Sequence, residues 1–151
     1  MDIHTLEGLC AEQGLQTRCF AHEETLIVAL PGKVVGTGYY PATLHIDDDE
    51  LVRARVTFDA PSRPSKAQMK VLREVVKNNH VFAFISYDKK NESLHFDAVL
   101  LSDDLVAELR RIIRVCEILF PLSQWIKHGG ECTRRTSALA AMRPQDMPGR
   151  A

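Results

Sequence analysis

The spacing of hydrophobic positions predicts a helix at the start of the chain. Ile3, Leu6 and Cys10 recur at intervals of three and four residues, which places them on one face of a helix. Asp2, a residue type that caps helix N-termini, precedes this segment, and Gly14, typical of a helix end, follows it. The helix is short, so we expect its stability to come from packing against the rest of the domain.

The segment between residues 17 and 58 predicts strands separated by turns. Residues 25–30 form a compact β-branched run that ends at Pro31-Gly32. In residues 51–58, apolar and polar side chains alternate. A period of two predicts a strand with one buried face and one face in contact with water.

A second helix and a hairpin follow. Ser65 and Gln68 have the spacing of a capping box at the start of the helix. Two strand-like runs then occupy Val81–Tyr87 and Ser93–Leu101, and the polar segment between them suits a hairpin loop. The first run is apolar on both faces, which predicts a covered central strand.

The last predicted helix has the widest apolar stripe of the chain. Ser102 has the residue type of its N-cap, and we expect Pro121 to kink or break it. A stripe of this width, with Trp125 near its end, is difficult to bury against a single sheet. We therefore expect part of the apolar surface to lie in a dimer or partner interface, where aromatic residues are enriched. The candidate interface residues are Phe82, Phe84, Leu119, Phe120 and Trp125.

These elements together predict one α+β domain over residues 1–130. The expected architecture is an antiparallel sheet with helices packed mainly on one face, in the order helix, strands, helix, hairpin, helix. A chain of 151 residues suits a single domain with its own core. Residues 131–151 are rich in Thr, Arg, Ser, Pro and Gly, and we expect them to form a flexible C-terminal tail.

Composition and charge exclude some classes of protein. The net charge of −1 gives no overall field that would attract nucleic acid or an anionic membrane, so direct nucleic-acid binding is not expected. No apolar run is long enough to span a bilayer, and the first residues do not resemble a signal peptide. We therefore expect a cytoplasmic protein, and we expect its four cysteines to be reduced.

No motif in the chain predicts catalysis. The acidic stretch at residues 47–50 lacks the spacing of a calcium loop, so it is interpreted as a solvated turn. The glycines near Lys33 lack the order of a phosphate-binding loop, and the six histidines form no metal-binding pair. The sequence thus predicts no enzyme, no catalytic, cofactor-binding or metal-binding residue, and no cofactor.

Several segments of the chain together form a recognisable pattern. They are Glu23–Leu30, the capped helix from Ser65, Phe82–Ile85 leading into Leu94–Asp97, and Ser102–Leu105. In these segments and in the order of its elements, the chain resembles the YbjN family of bacterial sensory transduction regulators, whose fold is similar to that of type III secretion chaperones. The resemblance covers about residues 2–127.

The resemblance implies a homodimer without enzymatic activity that binds a partner protein, as a chaperone-like module or a regulator in a bacterial stress response. In the secretion chaperones, an extended partner segment wraps around the dimer, in part by strand addition at a sheet edge. Those chaperones are commonly acidic, whereas this chain is close to neutral, and its arginine-bearing tail has no counterpart in them. Both differences favour the regulator over a role in secretion.

Two alternatives remain from the residues themselves. Arginines in the tail are compatible with an accessory protein of a nucleic-acid-binding or DNA-repair assembly. An enzyme whose site assembles only in three dimensions is the other alternative, and His45, His95 and Asp97 on neighbouring predicted strands are its candidate residues.

Overall fold

The computed structural model describes residues 1–79, 82–101 and 104–129. Within these ranges the chain forms three α-helices, six strands and one short 3-10 helix. In chain order they are α1 (Ile3–Glu12), β1 (Thr17–Phe20), the 3-10 helix (Ala21–Glu23), β2 (Thr25–Pro31), β3 (Tyr39–Ile46), β4 (Val52–Asp59), α2 (Lys66–Asn78), β5 (Ala83–Asp88), β6 (Ser93–Leu100) and α3 (Leu105–Lys127).

The six strands form one sheet in the order β1-β2-β3-β4-β6-β5, and every neighbouring pair is antiparallel. The predicted α+β class with an antiparallel sheet is therefore confirmed. Helix α2 connects the inner strand β4 to β5, which lies at the far edge of the sheet. The hairpin that follows β5 then places β6 between β5 and β4. As a result, β1 and β5 are the two edge strands.

One face of the sheet forms the core with the helices. The register aligns Val28, Ala42, Val56 and Phe96 across four strands, and all four side chains are at most 1% exposed. The neighbouring row on the opposite face runs through Ile27, Thr43, Arg55 and Asp97, which are half-buried or exposed. Alternation along each strand thus separates a covered face from an open face, as the period of two predicts.

Side-chain caps fix where the helices begin. Asp2 accepts a hydrogen bond from the backbone N–H of Thr5 at 2.8 Å at the start of α1. Ser65 and Gln68 form the predicted capping box of α2, each accepting from the other's backbone N–H. Asp104 caps α3, whereas the predicted cap, Ser102, lies outside the described residues.

One sequence prediction is wrong. The run beginning near Val81 is not a covered central strand, because β5 lies at the edge of the sheet and the Phe84 side chain is 58% exposed. An apolar pattern on both faces does not reveal where a strand lies in the sheet order. Of the two outcomes expected at Pro121, a kink or a break, the break does not occur, because α3 continues to Lys127, and Leu119 and Leu122 near the proline are both 1% exposed in the core.

The predicted tail, residues 131–151, lies outside the described residues. Among the helices of the described ranges, none combines the length and the apolar character that crossing a bilayer requires.

Candidate functional site

The outer edge of β5 carries backbone groups that no strand of the described ranges pairs with. The N–H of Val99 donates to the carbonyl oxygen of Phe82 at 2.9 Å, which makes these residues a hydrogen-bonded pair of the antiparallel ladder. Such pairs alternate with non-hydrogen-bonded pairs along the strands. The N–H and C=O groups of Ala83, Ile85 and Tyr87 therefore point away from β6, towards the outside of the sheet.

Three large apolar side chains lie exposed beside this edge. Phe82 is 66% exposed, and Phe84 and Leu101 are each 58% exposed. We call these three residues the β5 patch. They border a surface depression of about 830 Å³ whose floor includes Ile85 and Val99. Clustered exposed apolar side chains make this edge a candidate binding surface for another macromolecule.

Basic side chains surround the same depression. Arg53, Arg73 and Lys77 line it, and no carboxylate is among its lining residues. Arg53 is held by Asp47, whose Oδ2 accepts from the arginine Nε at 2.6 Å. At the opposite end of β5, Asp88 is followed directly by Lys89 and Lys90, and the guanidinium of Arg63 lies 5.7 Å from the Tyr87 ring centre. Basic side chains thus lie near both ends of the β5 edge.

The five candidate interface residues from the sequence do not form one surface. Phe82 and Phe84 lie together at the β5 edge, whereas the other three lie on α3. Leu119 is 1% exposed and belongs to the core. Phe120 and Trp125 are half-buried against the core, and the ring of Phe120 meets that of Tyr40 edge-on at 6.2 Å.

Leu101 is the member of the β5 patch that the sequence analysis missed. It directly follows strand β6, and alternation along that strand places it on the open face with His95 and Asp97 rather than on the buried face of Leu100. This alternation is the signal in the sequence that could have found it, although the extent of its exposure depends on β5 being the last strand of the sheet.

Of the three residues proposed for an enzyme site, His45 and Asp97 line one surface depression of about 320 Å³, whereas His95 is not among its lining residues. Asp97 accepts from Arg55 through both carboxylate oxygens, at 2.6 and 3.2 Å. His95 lies one row away on the sheet, opposite Thr57, and contacts Asp88 instead. His45 lies opposite Arg53, in a further row.

His95 does belong to a small polar cluster on the open face. Its Nε2 lies 3.0 Å from the Oδ2 of Asp88, and its Nδ1 lies 3.1 Å from the Oγ1 of Thr57. The hydrogen bond from His95, followed by those from Asn91, lowers the pKa of Asp88 to about 2. A histidine between a hydroxyl and a carboxylate is also the side-chain arrangement of an acyl-transfer site. Such a site needs free N–H donors for the oxyanion, but inner strands such as β4 use their N–H groups in the hydrogen bonds of the sheet. The cluster therefore fits stabilisation of the hairpin.

A buried carboxylate lies elsewhere, between α3 and the loop that joins β2 to β3. Glu117 is 2% exposed and accepts hydrogen bonds from the N–H groups of Lys33 and Val34, at 2.6 and 3.2 Å. The hydroxyl of Tyr40 donates to it at 3.0 Å. Burial, with a further contribution from the Glu117 charge, raises the pKa of the neighbouring Cys116 thiol. These contacts give Glu117 a structural role, because its oxygens hold the loop and the Tyr40 ring.

One group of potential metal ligands lies at the opposite end of the sheet, where α1 meets β1. One ligand atom from each of His4, Glu7 and Cys19 lies within 4.8 Å of the other two. The sequence analysis missed this group, because Cys19 follows the other two residues only after a helix and a turn.

The chain matches no protein-family model, and neither a curated protein nor a solved structure matches it. The resemblance to the YbjN family therefore remains a hypothesis that rests on the order of elements and on residue patterns. The tail arginines, on which the nucleic-acid alternative depends, lie outside the described residues.

Proposed function

We propose that this protein is a non-enzymatic protein-binding module that acts as a homodimer, and that the β5 edge is where two copies meet. The observation that carries the proposal is the presence of two exposed phenylalanines, Phe82 and Phe84, beside an edge strand whose outer side pairs with no strand in the described ranges.

An antiparallel pair of β5 strands satisfies the outward backbone groups. A two-fold axis at Ile85 pairs Ala83 of one copy with Tyr87 of the other, and these are the residues whose N–H and C=O groups point outward. Contacts across such an axis are isologous, so each copy uses the same surface. The result is one continuous sheet across both copies.

The same arrangement brings the two Phe84 side chains together. With the axis at Ile85, the two Phe84 side chains become diagonal neighbours on the open face, about 7–8 Å apart between backbone positions and within reach of aromatic rings. Each Phe84 is 58% exposed in the single chain, so its burial contributes about 1 to 2 kcal/mol per copy.

The resemblance to the YbjN family supports the wider part of the proposal. By this analogy, the dimer is a chaperone-like or regulatory module that takes up a partner protein in the cytoplasm of a bacterium, in a stress response. Of these proposed properties, the homodimer is the one that the geometry of the β5 edge makes testable.

Size-exclusion chromatography with light scattering, over a wide range of protein concentrations, tests this proposal. The wild-type chain is expected at twice its mass of 17.0 kDa. Phe84→Lys is expected to weaken the dimer roughly a hundredfold or more, since it removes two apolar contacts and adds two charges. Tyr39→Lys is the matched control, because Tyr39 is 45% exposed on β3, away from the β5 edge, and its replacement should leave the dimer intact.

Ala83→Pro separates strand pairing from side-chain packing. Proline removes the outward N–H at the start of the edge strand, a position where the single chain tolerates it. The proposal requires this variant to be monomeric with an unchanged circular dichroism spectrum. A wild-type chain that stays monomeric at every concentration refutes the homodimer, and a dimer that survives Ala83→Pro refutes strand pairing.

A further inference from the structure

We propose that His4, Glu7 and Cys19 form a Zn²⁺ site that joins helix α1 to edge strand β1. One potential ligand atom of each residue lies within 4.8 Å of the other two. Imidazole nitrogen, carboxylate oxygen and thiolate sulfur are the three ligand types that zinc takes from proteins.

The backbone places these residues together through two fixed points. Asp2 caps α1, so His4 and Glu7 lie three residues apart on one face of its first turns. At the other end of the helix, the N–H of Leu15 donates to the carbonyl of Cys10 at 3.2 Å, around Gly14 with its φ of +74°. This closure turns the chain directly into β1, against which α1 packs, and Cys19 lies on that strand.

The side chains can adopt zinc geometry with small movements. Tetrahedral zinc, with bonds of about 2.0 to 2.3 Å, places its ligand atoms roughly 3.5 Å apart. The present separations of up to 4.8 Å close to that value through side-chain rotation, which is available because His4 is exposed and Glu7 and Cys19 are half-buried. A carboxylate and a thiolate also balance the charge of the divalent ion.

Cys19 is the suitable thiol among the described cysteines. Cys10 and Cys116 are 0% exposed, and burial raises the pKa of both thiols, which disfavours the thiolate that a metal requires. Cys19 is half-buried and lies beside a histidine. Metal binding releases its proton to solvent and forms the Zn–S bond without any change of oxidation state.

Three protein ligands leave one coordination position to water. His4 is exposed, so this fourth position faces solvent, as in zinc sites that exchange a ligand. Because the ligands come from a helix and a strand that must both be folded, zinc binding stabilises the docking of α1 on β1. The site lies at the opposite edge of the sheet from β5, so the proposal is independent of the homodimer.

Titration of the reduced, untagged full-length chain with Co²⁺, followed by competition with Zn²⁺, tests the site. We expect one ion per chain, with a thiolate-to-cobalt charge-transfer band that Zn²⁺ abolishes. Cys19→Ser should remove the band, and His4→Ala should weaken binding at least about a hundredfold, since even outer-sphere partners of a metal are worth about 10- to 100-fold. Zn²⁺ should raise the melting temperature of the wild-type chain but not of His4→Ala.

Matched controls are His22→Ala, an exposed histidine outside the cluster, and Cys132→Ser, a cysteine outside the described residues. Both should bind Co²⁺ as the wild type does. The proposal is refuted if the wild-type complex shows no thiolate band, or if the band survives Cys19→Ser. His4→Ala keeps the test decisive should Cys19→Ser fail to fold, because His4 lies on the surface. Zinc binding without a rise in melting temperature refutes the docking role.

Discussion

The Glu117 carboxylate should contribute more to stability than any exposed ion pair of the described residues. Replacing it with alanine removes the acceptor for three donors, Lys33 N–H, Val34 N–H and Tyr40 O–H. Hydrogen bonds to a charged group are worth about 1.5 to 3 kcal/mol each. The net loss of stability is smaller than the sum of three such bonds, because water can replace the carboxylate as the acceptor for the two loop N–H groups. The variant also avoids the cost of burying a carboxylate away from water. We expect Glu117→Ala to lower the free energy of unfolding by about 2 to 4 kcal/mol.

A double-mutant cycle with Tyr40 isolates one of these bonds. Tyr40→Phe in the wild-type chain removes a buried hydroxyl that donates to Glu117 at 3.0 Å, and we expect a loss of about 1.5 kcal/mol. In the Glu117→Ala background that bond no longer exists, so the same change should cost less than about 0.5 kcal/mol. The difference, about 1 kcal/mol or more, is the coupling between the two side chains.

Urea unfolding at neutral pH, followed by circular dichroism and by the fluorescence of the single tryptophan, Trp125, measures all four corners of the cycle. Tyr39→Phe is the matched control. Tyr39 directly precedes Tyr40 on the same strand and is 45% exposed, so its replacement should change stability by less than about 0.5 kcal/mol. Equal effects of Tyr40→Phe in both backgrounds would show that the Glu117–Tyr40 bond does not stabilise the fold.

Two further predictions concern acid and the β2–β3 loop. In the folded chain, His95 is the chief cause that lowers the pKa of Asp88 from 3.8 to about 2. The contribution of Asp88 to the free energy of unfolding is therefore complete above about pH 4 and is lost as the pH falls towards 2. Urea midpoints measured from pH 5 to pH 2 should fall more steeply in the wild type than in Asp88→Asn. Gly32→Ala would place a methyl carbon 2.4 Å from the buried Tyr40 ring and should lower the free energy of unfolding by about 1 to 3 kcal/mol. Gly36→Ala meets no atom within 4 Å and should be neutral or slightly stabilising. Thermal melting of both variants measures the difference.

The local patterns of the chain predict its elements well, because each depends on neighbouring residues. The alternation in residues 51–58 and the capping box at Ser65 both describe interactions within a few positions of the chain, and the structure shows both. The position of β5 is a different kind of property. It depends on β6 lying between β4 and β5. The partners in the β4–β6 pair are separated by about forty residues along the chain, and no local pattern encodes such a pairing.

The same limit explains what the sequence reveals of the candidate sites. Phe82 and Phe84 attract attention as aromatic residues, but their exposure follows only from the sheet order. Leu119 has the same apolar character and lies in the core, since hydrophobicity alone does not distinguish a core position from a binding surface. Cys19 joins His4 only because α1 folds back onto β1.

The two edges of the sheet are protected to different degrees, and this contrast supports binding at β5. Strand β1 has four residues and is packed by α1, and short or covered edges resist unwanted pairing. Strand β5 has six residues, and from Ala83 to Tyr87 it contains neither proline nor a charged side chain, the usual means of blocking an edge. Its exposed aromatic ring at Phe84 makes pairing more favourable still. An edge of this kind invites aggregation unless a specific occupant covers it, and a second copy of the same chain is an occupant that is present whenever the protein is made.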